Sequence, residues 1–385
     1  MQLNQYITKF KQHPTPFYFY DLDLMRRTFD AAAQAIVQIP SGHIHYALKA
    51  NDHPAILQEV RRRGFGIDAV SGGEVQLAIQ TGIPGNKILF AGVGKTDKEI
   101  ETALEADILC FNAESVPEIE VINDIAARMG KTARIALRIN PNIDAHTHKN
   151  ITTGLDENKF GISLEDMLPT IHLVNHLPHV VYQGLHFHIG SQLLDFMPFK
   201  ELSLKINEIQ QALESENIQT PSIDVGGGLG VDYADPLHNE IPDFAGYIKI
   251  FKDNLQLRPQ QSFHCELGRS LSAQYAAVIS RVVFIKHGAH KQFAILDAGF
   301  TDLIRPALYQ ASHKIVNLTS QMSEERYDIV GPICESTDVF AQDYPLPKSS
   351  RGDLVALLSA GAYGHVMAST YNARPLIPQI TSDEI

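Results

Sequence analysis

An α/β fold built on a parallel (β/α)8 TIM-type barrel and followed by a β-rich domain is the architecture this sequence predicts, and three observations predict it. From residue 44 to about 275, short β-rich runs alternate with helical patterns, and there are eight such runs. Beyond 275 strand patterns continue without long helices. The polar residues and glycines least suited to a packed core sit at the C-terminal ends of the runs, where a barrel of this type keeps its chemistry.

The elements follow in order. Phe17-Tyr18-Phe19-Tyr20 precedes the barrel and is assigned to the later sheet, because chain ends often lie near each other. The barrel runs are 44–48, 66–70, 87–91, 108–111, 134–139, 182–188, 222–225 and 262–266, each short, apolar and bounded by turn residues. Helical patterns fill the gaps, among them 54–63 and 113–129, the second stopped by Gly130. The connection 140–163 is too long for an ordinary βα loop, and long loops on a catalytic face are usually functional. Late strands are expected at 275–286, 292–296, 327–330 and 354–358. The expected division is a barrel over 33–275 and a β-rich domain from 1–32 and 276–385.

Composition bounds the function. The chain has 385 residues, 44% of them hydrophobic and 20% charged, which suits two ordinary globular domains. Its net charge of -12 lacks the basic excess that a phosphate-tracking surface needs, so nucleic acid is not an expected partner. Arg61-Arg62-Arg63 is the one compact basic run, and it ends a helical pattern, where it complements the helix dipole. Cys110, Cys265 and Cys334 are scattered and form no CxxC pair, which points to a reducing compartment. The N-terminus has no basic-then-apolar leader pattern and no stretch reaches the length of a membrane span, so a cytoplasmic protein is expected, with no membrane partner.

The strand ends carry the chemistry. Lys49 follows the first apolar run; partial desolvation there would lower its pKa and free its amine to attack an aldehyde, although a strand-end lysine can also simply snorkel to solvent. Asp68 lies late in the second run. Gly226-Gly227-Gly228 ends the seventh, where the absence of Cβ atoms lets backbone amides approach a phosphate; a tight turn without a ligand is the alternative. Glu266 ends the eighth, and a buried carboxylate there needs a partner, either a protonated pyridine nitrogen or Arg269. In His186-Phe187-His188 both imidazoles are expected on one side of a strand, to stack on a planar cofactor or to bind a metal as in barrel hydrolases. The metal reading asks for further ligands at strand ends that offer Lys49, Asp68, glycines and Glu266. The pairs His43 with His45 and His146 with His148 are expected at the surface or in loops.

These residues resemble a family. Tyr46-Ala47-Leu48-Lys49-Ala50-Asn51, Asp68-Ala69-Val70-Ser71-Gly72-Gly73-Glu74, His186-Phe187-His188-Ile189-Gly190-Ser191 and the triple glycine are similar to the fold-type III decarboxylases that use pyridoxal 5'-phosphate. Arg138-Ile139-Asn140-Pro141-Asn142, continuing through Asp144-Ala145-His146-Thr147-His148 to Thr153-Gly154 and Lys159-Phe160-Gly161, resembles the diaminopimelate branch. So do Cys334-Glu335-Ser336-Thr337-Asp338, Gly361-Ala362-Tyr363-Gly364 and Tyr371-Asn372-Ala373-Arg374-Pro375. The resemblance covers roughly residues 15 to 375. The family usually has Glu-Pro-Gly-Arg where this chain has Glu266-Leu267-Gly268-Arg269, a change expected to have a modest effect. Many relatives also continue further beyond the position of Pro375, so part of the usual C-terminal element is expected to be shorter.

The resemblance implies decarboxylation of meso-2,6-diaminopimelate at its D-centre to L-lysine and carbon dioxide, the last step of lysine biosynthesis. By the same pattern Lys49 holds pyridoxal 5'-phosphate covalently, Glu266 keeps its ring nitrogen protonated and His188 stacks on the ring. Ser191, Gly228, the turn from Glu266 through Gly268 to Arg269, and Tyr363 hold the phosphate, and Asp68 supports Lys49. Arg269, Arg305, Tyr309, Glu335 and Tyr363 match the positions that receive the distal end of the substrate. Cys334 is the implied acid, and with Glu335 it implies a homodimer with shared sites. The competing readings are a decarboxylase of the same fold acting on carboxynorspermidine, ornithine or arginine, a racemase, and a non-catalytic relative. Glu266 argues against the racemase, and retention of Lys49 and Cys334 against the non-catalytic protein.

Overall fold

The computed structural model describes residues 1–143 and 159–385. The motif residues 144–148 and Thr153-Gly154 therefore lie outside the described residues. Two compact units emerge: residues 29–230 with 243–268, and residues 1–28, 231–242 and 269–385.

In the first unit, among the described residues, eight parallel strands close into a barrel. They are β2 (Gly42–Ala47), β3 (Gly66–Ala69), β4 (Ile88–Phe90), β5 (Cys110–Ala113), β6 (Ala133–Arg138), β7 (Val180–His186), β8 (Ser222–Asp224) and β9 (Ser262–Leu267); β1 belongs to the other unit. The register from Gly42 opposite Phe263 to Tyr46 opposite Leu267 closes the ring. All eight runs read from the sequence become barrel strands. Outward residues such as Ile67, Phe90, Phe111, Ile135, Leu185, Ile223 and Phe263 are fully buried, which is the hydrophobic term that holds this unit together.

Inward positions are more polar, and they correct one expectation. His45 is not a surface residue: it is buried, and its Nε2 lies 2.9 Å from Nδ1 of His264. Strand β2 begins at Gly42, two residues before the apolar run, so strand alternation turns both His43 and His45 inward. Gly66 makes the room, since a Cβ there would lie 2.3 Å from the His45 ring. His43, nearer the strand start, stays exposed and stacks on His264; His146 and His148 lie outside the described residues.

Helix ends follow local chemistry. Pro54–Arg62 starts with proline in its first turn behind His53, and Val116–Met129 is capped by the Ser115 side chain, which accepts from the Glu118 amide. The second helix starts later than the sequence pattern suggests because Cys110–Ala113 is still strand. It stops at Gly130, whose φ of 64° is left-handed.

The second unit is a sheet. Its strands are β1 (Phe17–Tyr20), β10 (Ala276–His287), β11 (Gln292–Leu296), β12 (Ile315–Asn317), β13 (Glu324–Val330), β14 (Val339–Pro347), β15 (Leu354–Leu357) and β16 (Gln379–Thr381), in the order β12-β15-β10-β11-β13-β14. As expected, the N-terminal strand joins it: β1 pairs antiparallel with β10 and parallel with β16. Three of these strands escape the sequence pattern. Strand β14 is the clearest case, an edge strand with a polar stretch and prolines at 345 and 347, residues an edge tolerates and a central strand does not. No helix among the described residues is long and apolar enough to cross a membrane.

Candidate active site

Strand β2 ends at Ala47, and Leu48–Ala50 form a single 3-10 turn that lifts Lys49 off the strand. Its Nζ donates to Oδ2 of Asp68 at 2.9 Å; the lysine side chain is 39% exposed and the aspartate wholly buried. Burial and the nearby Glu266 charge raise the Asp68 carboxyl to about 6 against the pull of Lys49. The pair therefore presents an amine at a barrel mouth with a buried anion behind it.

Glu266 is buried on β9 and has two partners on other strands. Asn112 Nδ2 donates to Oε1 at 3.1 Å, and His186 Nε2 lies 3.2 Å from Oε2. Burial alone would raise its pKa, but His186 above all, with Lys49, holds it well below the usual carboxylate value. A buried carboxylate kept anionic can stabilise a cation placed against it. The partners found for Glu266 are thus His186 and Asn112.

His186 and His188, both close enough to Glu266 to act on it, take different hydrogen-bond partners. Strand β7 ends at His186, and past it the ladder to β6 stops while Phe187 still donates to the Asp224 carbonyl. His186 turns to Glu266, whereas His188 Nδ1 accepts from the Gly227 amide at 3.3 Å. Burial, with Arg138 adding to it, lowers His188 to about 3, so its ring is neutral and suited to lie against another aromatic face. Among the described residues, the group spaced as metal ligands could be is His186, Asp224 and Glu266.

The triple glycine forms the turn the sequence suggests. Gly226 and Gly228 have φ of 68° and 114°, and a Cβ on Gly227 would lie 2.1 Å from the Glu266 carbonyl. Ser191 follows Gly190 in the loop after β7, a loop tied to the turn by the Leu193 amide donating to the Gly228 carbonyl. Gly268 packs against Ala47 and Ala50, on either side of the Lys49 turn. Leu267 extends β9 by one residue and is buried. Gly227→Ala is expected to push the turn off Glu266 and weaken cofactor binding at least about tenfold, measured by absorbance titration; unchanged affinity would contradict this geometry.

Sequence reasoning missed Glu114. This buried carboxylate accepts from Arg138 at 3.0 Å and from the amides of Gly92 and Gly161, also at 3.0 Å. It thereby anchors Arg138 and the loop around Lys159-Phe160-Gly161, whose Phe160 ring lies under the Arg138 guanidinium at 4.6 Å. Asn112 was missed as well, although strand alternation from Cys110 would have pointed it inward.

In the second unit Arg269 opens the short helix Arg269–Ser272 and is buried. Its guanidinium donates to the Tyr233 hydroxyl at 2.9 Å and lies 5.0 Å over the Tyr363 ring. Arg305, at the start of the helix Arg305–Tyr309, is buried rather than exposed. It donates to Nε2 of His313 at 2.8 Å and lies 4.7 Å over the Tyr233 ring. His313 accepts there because its Nδ1 serves the Leu358 carbonyl, and burial lowers it to about 3, so this partner of Arg305 is neutral, and among the described residues no carboxylate pairs with the guanidinium. Tyr309 closes the same helix and is half-buried. Tyr363 has a φ of 56° just after the Gly361 approach to the Ser272 carbonyl. Tyr233 and His313 carried no motif that could have marked them.

Cys334 and Glu335 are exposed on a stiff loop of this unit. Asp338 builds it, accepting from the amides of Phe300 and Ile333 at 2.7 Å each. Asn372 accepts from the Cys334 amide at 3.0 Å, and the Tyr371 hydroxyl donates to Glu335 at 2.7 Å.

Comparison with known proteins agrees with this chemistry. The family profile for pyridoxal-dependent decarboxylase, pyridoxal binding domain, matches residues 22–273. The chain is 53% identical over 379 residues to a diaminopimelate decarboxylase of Bacteroides thetaiotaomicron, covering 98% of each chain. A crystal structure of the Helicobacter pylori diaminopimelate decarboxylase complexed with L-lysine superposes with a TM-score of 0.90 at 41% identity, covering 97% of this chain and 92% of that one. The diaminopimelate decarboxylase of M. jannaschii in complex with L-lysine gives a TM-score of 0.90 at 34% identity, covering 98% of this chain and 90% of that one.

Proposed function

The chain belongs to the diaminopimelate decarboxylases, a branch of the pyridoxal-dependent decarboxylases, and from that premise we propose that it converts meso-2,6-diaminopimelate to L-lysine and carbon dioxide with pyridoxal 5'-phosphate as its cofactor. The observation that carries the chemistry is Glu266, a buried carboxylate held ionised by His186 and Asn112. It is a partner for a pyridinium nitrogen, the charge this cofactor brings.

The residues fit the cofactor. The Cβ-free turn at Gly226-Gly227-Gly228 suits a phosphate, the neutral His188 ring suits an aromatic face, and the Lys49 amine suits an aldehyde. When bound, the cofactor supplies an electron sink for the pair left on carbon as carbon dioxide departs.

The chain's own residues do the rest. Lys49 Nζ would hold the cofactor through its aldehyde, and Asp68, which accepts from that amine at 2.9 Å, would stabilise the lysine in its charged form. Glu266 keeps the ring nitrogen protonated. His188 covers one ring face and excludes water from it. Ser191, Gly228, Gly268, Arg269 and Tyr363 bind the phosphate. Arg305, with Tyr309 and Arg269, receives the distal carboxylate through the planar fork that suits it, and Glu335 receives the distal ammonium. Cys334 delivers the proton that replaces the lost carboxylate on carbon.

The exposure of Cys334 and Glu335 on a stiff loop supports a homodimer in which each subunit lends these groups to its neighbour. Three free cysteines support a cytoplasmic setting.

Carbon dioxide release from meso-diaminopimelate, but not from ornithine, arginine or carboxynorspermidine, tests the proposal; release from another of these instead would overturn the substrate. Arg305→Ala is expected to raise KM for meso-diaminopimelate roughly ten- to a hundredfold, since a charge-assisted hydrogen bond contributes ~1.5–3 kcal/mol. Its kcat should change less. A variant with KM unchanged would remove Arg305 from substrate binding.

A further inference from the structure

We propose that Asp224 is kept protonated in the folded enzyme and, in that form, is the positioning residue that ties the glycine turn to the ring-nitrogen carboxylate; the inference rests on the proposed cofactor site. Asp224 ends β8 and is buried. Its Oδ1 accepts from the Gly226 amide at 2.8 Å, and the Gly226 carbonyl accepts from the Glu266 amide at 2.8 Å. One side chain thus fastens the first glycine of the turn, and that glycine fastens the backbone of Glu266.

The second oxygen decides the protonation state. Asp224 Oδ2 is buried and, among the described residues, has no hydrogen-bond donor. An Asp224 oxygen, a Glu266 oxygen and a His186 ring nitrogen lie within 4.8 Å of one another. Two buried carboxylates this close do not both ionise at neutral pH, so one holds a proton.

The surroundings place that proton on Asp224. Glu266 has His186, Asn112 and the charge of Lys49 in its favour, whereas Asp224 has, among the described residues, the Gly226 amide as its donor. Among the described residues, the other titratable groups that face Asp224 are Asp68 from β3, Cys110 from β5, Cys265 from β9 and Tyr247 from the helix Phe244–Asn254; none of these brings a positive charge. His43, His45, His264, Arg63 and Lys87 line the same cavity of about 390 Å³ behind Asp224; burial lowers the three histidines below the ordinary value, Arg63 is paired with Asp30 and Glu59, and Lys87 donates to the Gly64 carbonyl at 2.8 Å. Burial and the Glu266 charge in turn push the Asp224 carboxyl well above its ordinary value. Protonated, Asp224 is a donor directed at the anion it stands beside, and it adds to the groups that keep Glu266 ionised.

Infrared spectroscopy of the cofactor-loaded enzyme tests this without substrate. At about pH 8, where ordinary carboxylates are ionised, a protonated-carboxyl carbonyl band is expected that shifts on carbon-13 labelling of aspartate and not of glutamate. Asp224→Asn should abolish the band, yet bind pyridoxal phosphate within about threefold of wild type, because a neutral amide preserves both the acceptor and the donor. Asp224→Ala should weaken binding at least about tenfold. Absence of an aspartate band in the wild-type enzyme, or an Asn variant as impaired as Ala, overturns the proposal. Should either variant fold poorly, the labelled wild-type spectrum alone decides. A failure of meso-diaminopimelate as substrate would leave these readings untouched, so the two ideas fail separately.

Discussion

Lys49→Ala is expected to lose decarboxylation by about 10⁴-fold or more, the scale seen when a covalent group is removed from a site that works as a unit. The variant should still take up pyridoxal phosphate, since the glycine turn and Glu266 remain, but borohydride should fix none of it to the protein. Lys49→Arg separates chemistry from charge. It preserves a cation beside Asp68, which is wholly buried and 2.9 Å from the lysine amine, so its melting temperature should exceed that of the alanine variant while its activity stays equally low. A Lys49→Ala protein that still holds cofactor after borohydride treatment would show that another amine carries the link.

Glu266→Gln should be the second largest loss, roughly 10²–10⁴-fold in kcat, the range associated with a positioned acid–base group. The amide is nearly isosteric and leaves Asn112 and His186 in place, so cofactor binding should persist. What disappears is the negative charge that holds the ring nitrogen protonated and makes the ring an effective electron sink. The prediction is therefore a fall in kcat with a KM that moves little, read with a cofactor spectrum that still reports attachment to Lys49. A Gln variant within about threefold of wild type would mean that the charge at Glu266 is dispensable.

Much of this is legible in the sequence, for physical reasons. The barrel strands could be read because their outward residues are apolar and their boundaries are turn residues, so eight runs such as 66–70 and 262–266 landed on strands. Lys49, Asp68, the triple glycine and Glu266 could be read because a barrel places strand C-termini on one face. What escaped lies in pairings that no local pattern encodes. His45 looked like a surface residue because the strand reaches back to Gly42 past the apolar run. His186 and His188 look alike in the sequence, and only the fold gives them different partners, Glu266 for one and the Gly227 amide for the other. Asn112 and Glu114 act through partners on other strands, and Asp224 and His313 each join a near partner, Gly226 or Arg305, to a distant one, Glu266 or Leu358, a pairing that a single sequence does not mark. The proposed substrate-binding positions, Arg305 among them, rest on resemblance; in isolation a lone arginine beside Pro306 reads as a surface residue, and only its burial against His313 and Tyr233 argues otherwise.

The central claim is decarboxylation at one end of a two-headed amino acid, and position-specific labelling tests it most directly. meso-Diaminopimelate carrying carbon-13 in the carboxyl group of the D-centre, given to purified protein with pyridoxal phosphate, is predicted to release all of its label as carbon dioxide and leave unlabelled L-lysine. Label retained in the lysine, or no carbon dioxide from a protein whose Lys49 carries the cofactor, would contradict the account.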